Sequence, residues 1–170
     1  MMVIRSGGQT GVDRAALHVA VGLGLPYTGW CPRGGWAEDR PSAPGLLEEF
    51  PLLRETPSAD PRERTAWNAR DADATLILAS PTALELSPGT ELTRFFADAP
   101  FEKPCRVADP TDLAHVDEIV EWLEALHADK HGESLVLNVA GPRESEWKGV
   151  YSLAKHFLLE LFGRAPSLLR

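Results

Sequence analysis

The chain alternates short runs of apolar and β-branched residues with stretches whose apolar positions recur every three or four residues. This alternation is typical of β-α-β units, which build a mostly parallel sheet flanked by helices. We therefore predict an α/β protein with a single Rossmann-like domain, a mostly parallel five-stranded sheet and helices on both faces. The predicted strands are 2–5, 27–30, 74–79, 105–108 and 134–140.

Five helices are predicted between and after these strands. The first covers 11–23, where Thr10 can cap the start and Asp13, three residues later, can complete a capping box. The second starts at Asp60, with Pro61 at its first helical position, and runs to about residue 71. The remaining helices are expected at 91–99, at 111–129, and after 141–145 to about residue 162.

The stretch 31–58 holds five prolines and shows no clear periodicity. A segment this long without regular structure inside a compact domain is usually functional or disordered. We expect a long irregular loop here, and one interpretation is a lid that closes over a ligand.

Composition narrows the class of protein. The chain has 170 residues, of which 44% are hydrophobic and 25% are charged, enough for one globular domain without disulfides or metal. Its two cysteines, Cys31 and Cys105, form no paired motif, which excludes a disulfide scaffold and a cysteine-ligated structural zinc site.

No apolar run is long enough to span a membrane, and 1–6 lacks the apolar stretch of a signal peptide, so a cytoplasmic location is expected. The net charge of −8 makes nucleic acid an unfavourable partner.

Glycine-containing polar loops follow four of the predicted strands. In an open parallel sheet, ligands bind beyond the carboxyl ends of the strands. The amides at the start of a following helix suit phosphate or another oxyanion. The sequence therefore predicts a small phosphorylated or anionic ligand at this edge, although Gly-Gly-Gln-Thr-Gly is neither a dinucleotide-binding motif nor a P-loop. The four loops are 6–11, 31–35, 87–90 and 141–145.

The candidate ligand-binding residues lie in these loops and directly beside them. The first loop would cradle one phosphate, and Gly89 with Thr90 would hold a second anionic group. Arg33 and Arg143 would clamp charge, since a guanidinium binds phosphate through two parallel hydrogen bonds. Each loop has the alternative of a purely structural turn, and each arginine that of a solvated side chain. The full set is Gly7, Gly8, Gln9, Thr10, Gly11, Asp13, Arg33, Gly34, Glu38, Ser87, Gly89, Thr90, Gly141 and Arg143.

Catalytic residues are harder to nominate. Asp39 and Glu91 are the weak candidates for proton chemistry, and a solvated surface carboxylate is the alternative for each. The five histidines fall within or just after predicted helices and are interpreted as surface residues, so no metal site is predicted. Cys31 opens a glycine loop and is either a reactive thiol or a small apolar residue at a strand end.

At the loops, the sequence resembles the molybdenum carrier proteins, also described as circularly permuted YpsA-like members of the SLOG superfamily. The resemblance covers most of the chain in one order. It implies a Rossmann-like fold, homo-oligomerisation, and binding of molybdenum cofactor or a related nucleotide-like ligand. The stretches that carry it are 6–17, 29–34, 37–39, 54–58, 64–68, 70–77, 87–93, 103–105 and 137–145.

The wider superfamily resembles the Lonely-guy phosphoribohydrolases, which cleave the base from a nucleoside monophosphate. Their Gly-Thr-x-x-Glu loop carries a catalytic glutamate, whereas here Gly89-Thr90 is followed by Thr93 at that position. This departure keeps phosphate binding as an expectation and counts against hydrolysis. Three hypotheses remain: a small-molecule carrier, a phosphoribohydrolase-like enzyme, and a structural or interaction protein whose loops bind nothing.

Overall fold

The computed structural model of the protein describes residues 1–169. The strands are β1 Met2–Arg5, β2 Tyr27–Thr28, β3 Trp30–Cys31, β4 Arg54–Glu55, β5 Ala74–Leu78, β6 Cys105–Ala108 and β7 Leu135–Ala140. The helices are α1 Val12–Leu23, α2 Pro61–Arg70, α3 Pro81–Leu86, α4 Pro88–Asp98, α5 His115–Asp129 and α6 Val150–Arg164. Short 3₁₀ helices lie at Gly45–Glu48 and Pro166–Leu169.

Five strands form one parallel sheet in the order β2-β1-β7-β5-β6, which confirms the predicted α/β class. The chain moves outward from β1 to β2, crosses to β5 and β6, and returns to insert β7 in the middle. Because all five strands are parallel, their carboxyl ends share one edge of the sheet.

The two faces of the sheet differ in polarity. One face packs against α1, α5 and α6 and forms the main core, with Ile4, Leu76 and Leu137 fully buried in it. The other face lies under α2 and α4 and carries a row of polar side chains in register across β1, β7 and β5. In this row Asn138 is buried and donates to Thr75 Oγ1 at 3.4 Å.

The predicted strand 27–30 is broken at Gly29. Its backbone passes so close to Ser6 that a Cβ on Gly29 would lie 2.9 Å from the Ser6 carbonyl carbon. Residues before the break, in β2, pair with β1, whereas β3 leaves the main sheet and pairs with β4 in a separate two-stranded parallel sheet. Sequence pattern alone does not show this change of partner.

The stretch 31–58 is more ordered than expected. It contains β4, the second residue of β3 and one 3₁₀ helix, and it buries its own apolar cluster against α1. His18 of α1, half-buried rather than a free surface residue, bonds to Tyr151 Oη at 2.8 Å and to Glu49 Oε1 at 2.7 Å, which ties this stretch to α6. The second core is Leu17, Cys31, Ala37, Leu46, Phe50 and Leu53.

Three of the predicted helix starts need correction. The capping box at Thr10 and Asp13 is wrong: α1 is preceded by Gly11 and has no side-chain cap. α4 begins at Pro88 rather than at residue 91, and α5 begins at His115 rather than at residue 111. The sequence analysis also does not predict α3, although Ser80 and Pro81 carry its start signal.

The predicted start of α2 is confirmed. Asp60 accepts a hydrogen bond from the Arg62 amide at 2.9 Å, and Pro61 is the first helical residue. No helix within residues 1–169 is long and apolar enough to cross a membrane.

Candidate functional site

A cleft opens where the carboxyl ends of β1 and β7 meet α2 and the first turn of α4; we call it the edge cleft. Its narrow inner part has a volume of about 20 Å³, room for about one water molecule. Its outer part has a volume of about 360 Å³. The inner part is lined by Gln9, Asp13, Arg64, Ser87, Gly89, Thr90, Thr93, Ala140, Gly141, Arg143 and Glu146. The outer part is lined by Asp60, Pro61, Arg62, Arg64, Thr65, Pro88, Gly89, Leu92 and Arg143.

An ion pair crosses the inner part of the edge cleft. Arg64 Nη1 donates to Asp13 Oδ2 at 3.0 Å, and Asp13 is only 3% exposed. Burial raises the pKa of Asp13, and the guanidinium of Arg64 opposes that rise. Arg64 also lies against Gly7, so the space in which the sequence placed a phosphate holds this guanidinium.

The polar groups of the loop 6–11 are mostly used within the protein. Gln9 Oε1 accepts from the Thr10 amide at 3.1 Å and from the Glu38 amide at 2.9 Å. The Thr10 hydroxyl donates to Glu38, and so does Ser145, at 2.6 Å. Partial burial acts to raise the pKa of Glu38, but these hydroxyl hydrogen bonds outweigh it and hold the pKa below its usual range. Glu38 therefore joins two loops rather than facing the edge cleft.

Three of the nominated glycines allow close packing. Gly8 has a φ of 72° and presses against the second core. A Cβ on Gly11 would lie 2.9 Å from the carbonyl carbon of Arg143, and one on Gly141 would lie 2.6 Å from the carbonyl oxygen of Leu78. The Gly11 contact brings the loops 6–11 and 141–145 together at the sheet edge.

The first turn of α4 faces the edge cleft with its backbone. The hydroxyl of Ser87 donates to Glu146 Oε2 at 2.7 Å and lies 2.7 Å from Thr90 Oγ1, and it does not cap the helix. The same Glu146 oxygen accepts from the Arg143 amide at 3.0 Å, which fixes the loop 141–146 against α4. A Cβ on Gly89 would meet nothing within 4 Å, so the backbone at Gly89 is open to the cleft.

The two nominated arginines are placed differently. Arg143 lines both parts of the edge cleft, and its guanidinium lies 5.9 Å from the centre of the Trp36 ring. Arg33 and Gly34 line a neighbouring cleft of about 330 Å³ that shares only Pro61 with the edge cleft. They therefore lie beside the site rather than in it.

The two catalytic candidates lie outside the edge cleft. Both carboxylate oxygens of Asp39 accept from Arg14, at 3.0 and 3.1 Å. Partial burial acts to raise the pKa of Asp39, but the hydrogen bonds and charge of Arg14 outweigh it, so the pKa is lowered. Glu91 is exposed and lines a groove on the outer side of α4. Neither carboxylate is positioned to act on a ligand in the edge cleft.

Cys31 packs in the second core, as the structural alternative predicted. It is fully buried, and burial raises the pKa of its thiol to about 11. A thiol with this pKa stays protonated near neutral pH and is a weak nucleophile. Within residues 1–169, no group of histidine, cysteine, aspartate and glutamate side chains is arranged to hold a metal ion.

The main residue of the cleft that the sequence does not predict is Arg64, which lies in the stretch 64–68 of the family resemblance. The spacing of residues along α2 could have identified Arg64. One face of the helix holds Pro61, Arg64, Thr65 and Asn68, and this face is buried at Thr65 and Asn68. An arginine on a buried helix face next to a glycine loop is a candidate for anion binding.

Comparisons with known proteins agree with this architecture. The model of the circularly permutated YpsA SLOG family matches residues 4–162. A crystal structure from Syntrophus aciditrophicus SB, described as "Putative molybdenum carrier protein", is 34% identical, with a TM-score of 0.74 over 95% of this chain and 94% of that chain. A search of the curated proteins found no match.

Proposed function

The chain belongs to the circularly permutated YpsA SLOG family, and from this premise we propose that it is a molybdenum carrier that binds a small oxyanion-bearing ligand in the edge cleft. The ligand is molybdenum cofactor or a related phosphorylated, nucleotide-like or pterin compound. The name of the Syntrophus structure supports the molybdenum-related role. The polar and charged groups that line the edge cleft support a ligand with an anionic group.

The observation that carries the proposal is the convergence of three arginines on one small volume, in which the lining carboxylates, Asp13, Asp60 and Glu146, already accept hydrogen bonds from the protein itself. Arg64 and Arg143 line both parts of the cleft, and Arg62 stands in the outer part. Arg64 is paired with Asp13, whereas Arg62 and Arg143 form no salt bridge within residues 1–169. The uncapped start of α4 adds a partial positive charge and the open backbone of Gly89. An oxyanion placed between these groups would receive charge-assisted hydrogen bonds.

The size and walls of the outer part support a ligand larger than an inorganic ion. A volume of about 360 Å³ lies within the range of small-molecule sites. Pro61, Pro88 and Leu92 give this part apolar walls, and such walls suit the flat ring of a pterin or a nucleobase. The anionic group would then lie toward Arg64 and Arg143.

Hydrolysis of a nucleoside monophosphate is less well supported. The Thr93 hydroxyl, at the position of the catalytic glutamate in the Lonely-guy motif, donates to the Gly89 carbonyl at 3.0 Å. Asp39 and Glu91 both lie outside the edge cleft. We therefore favour a carrier over a phosphoribohydrolase.

A ligand screen with one matched pair of variants tests the proposal. Purified protein is heated with molybdate, tungstate, nucleoside monophosphates or a phosphorylated pterin, and its melting temperature is compared with that of the protein alone. For each compound that raises the melting temperature, the dissociation constant is measured by calorimetry. A ligand at 100 times its dissociation constant should stabilise the protein by about 2.7 kcal/mol. Gly89→Glu places a carboxylate at the cleft, at a position where a Cβ meets nothing within 4 Å, and should abolish binding. Gly22→Glu adds the same charge on α1, where a Cβ also meets nothing within 4 Å, and should leave binding unchanged. Equal binding by both variants would exclude the edge cleft as the site.

A further inference from the structure

A second cleft adjoins the edge cleft at Pro61. Its volume is about 330 Å³, close to the volume of about 360 Å³ of the outer edge cleft. Among the described residues that line it, Arg33 is the only charged one, so the cleft is locally positive in a chain with a net charge of −8. We call it the Trp36 cleft; besides Pro61, it is lined by Arg33, Gly34, Trp36, Pro41, Ala43 and Ala59.

The ring of Trp36 is set apart from the other aromatic side chains. Within residues 1–169, it belongs to neither hydrophobic core and pairs with no other ring. The other four tryptophans each have such a partner. Trp30 and Trp67 pack edge to face at 4.7 Å, and Trp122 and Trp147 pack against the main core. The ring of Trp36 instead lines a cleft, where it can stack on a ligand.

The loop that carries Trp36 is held by backbone hydrogen bonds. The Gly35 amide donates to the Pro32 carbonyl at 3.0 Å, and the Gly35 carbonyl accepts from the Leu46 amide at 2.8 Å. Gly35 has a φ of 65°, and a Cβ there would lie 3.0 Å from the Leu46 nitrogen, so the chain is tightly packed at this point. The Trp36 cleft is therefore preorganised, which lowers the entropic cost of binding.

Arg143 connects the Trp36 cleft with the edge cleft. It lines both parts of the edge cleft, and its guanidinium lies 5.9 Å from the centre of the Trp36 ring. An oxyanion bound to Arg143 in the edge cleft therefore lies near the Trp36 ring. Phosphate is an oxyanion that can carry a substituent on two sides. A second ring attached through it can enter the Trp36 cleft while the first ring stays against Pro88 and Leu92.

We propose that the ligand carries two ring systems joined by a phosphate or diphosphate, as in a dinucleotide, and that the second ring, a nucleobase, stacks on Trp36. This inference rests on the proposed function, because the first ring and the phosphate occupy the edge cleft. Stacking requires only the flat face of a base, and the exposed Arg33 supplies hydrogen-bond donors for its acceptor atoms. The two clefts together stay within the range of about 300 to 1,000 Å³ of small-molecule sites.

Two matched pairs of compounds test the inference: FMN with FAD, and GMP with diguanosine diphosphate. In each pair the second compound is the first extended by one nucleotide. Calorimetry should give a dissociation constant about 5- to 100-fold lower for the extended compound, the range for stacking one base on an aromatic side chain. Trp36→Ala should remove this difference, whereas Trp36→Phe, which keeps an aromatic ring, should retain most of it. Phe95→Ala is the control, because Phe95 is 56% exposed and lines neither cleft, and it should leave the difference unchanged.

The outcomes separate this inference from the proposed function. If the extended compound of each pair binds no more tightly than the shorter one, or if Trp36→Ala leaves the difference unchanged, the inference is overturned. Loss of FMN and GMP binding in Gly89→Glu would in that case still support the edge cleft as the site. If none of the four compounds binds, the inference is also overturned, and the molybdate and pterin arms of the ligand screen decide the carrier function. Circular dichroism should show that each variant is folded.

Discussion

The guanidinium of Arg64 lies directly over Gly7. A Cβ on Gly7 would stand 2.8 Å from Arg64 Cζ and 2.9 Å from Asp13 Oδ2, both too close for atoms that are not bonded. Glycine is therefore required at this position by the ion pair of Arg64 and Asp13, and the loop 6–11 packs directly against the Arg64 guanidinium. In the proposed function, this arrangement would present Arg64 to the ligand from the inner end of the edge cleft.

Replacing Gly7 by alanine should destabilise the protein. The new methyl group displaces the flexible end of Arg64, and Asp13 is then left buried without its cation. We expect a loss of about 1 to 3 kcal/mol in the free energy of unfolding, the usual cost of an unpaired buried polar group. Urea denaturation measures it. Gly22→Ala, at a helical position where a Cβ meets nothing, should be neutral or slightly stabilising. Equal stability of the two variants would contradict the role of Gly7.

Replacing Arg143 should weaken ligand binding more than replacing Arg33. Arg143→Gln removes a cation from the edge cleft, and Arg33→Gln removes one from the neighbouring cleft. For an anion identified in the ligand screen, Arg143→Gln should weaken binding by about 10- to 100-fold, the value of a hydrogen bond to a charged group, and Arg33→Gln by much less. Calorimetry on both variants measures these changes in the dissociation constant. A larger effect at Arg33 would move the site to the cleft beside Trp36.

The fold was largely predictable because its signals are local. The strands 2–5 and 105–108 were placed correctly, and the start of α2 followed from Asp60 and Pro61. These segments have alternating or capped patterns that depend only on neighbouring residues. Gly29 is different, because its strand break depends on close contact with Ser6, which follows β1 and is distant in sequence.

The candidate site was predictable in location but not in detail. The convergence of Gln9, Gly89 and Arg143 at one edge follows from parallel topology. The roles of Glu38 and Asp39 do not, because their hydroxyl and guanidinium partners lie on distant segments. A sequence shows which residues carry charge, but whether another part of the protein already neutralises that charge depends on tertiary structure.

Gly8 should be needed for stability rather than for ligand contact. Its φ of 72° disfavours any side chain, and a Cβ there would lie 3.1 Å from Leu46 and 3.2 Å from Leu53 in the second core. Gly8→Ala should therefore lower the free energy of unfolding by about 1 to 2 kcal/mol, the cost of a left-handed conformation for an L residue. Thermal or urea unfolding measures it. An alanine variant as stable as the wild type would show that Gly8 is free of this packing constraint.

The attachment of Glu38 should make part of the stability depend on pH. Hydrogen bonds from Ser145 and Thr10 hold the pKa of Glu38 below the ordinary value of 4.5. A carboxyl group with a lowered pKa in the folded state contributes stability above its unfolded pKa, and loses that contribution as the pH falls through its folded pKa. Between pH 7 and pH 3, the wild type should therefore lose more stability than Glu38→Gln, whose side chain cannot ionise.

Urea unfolding of both proteins at several pH values measures this difference. Glu133→Gln is a suitable control, because Glu133 is an exposed glutamate that lies 4.0 Å from Lys130 at the protein surface. A surface pair of this kind contributes little to stability, so the control should follow the wild type. If Glu38→Gln also follows the wild type down to pH 3, then the contacts of Glu38 with Thr10 and Ser145 do not stabilise the ionised form.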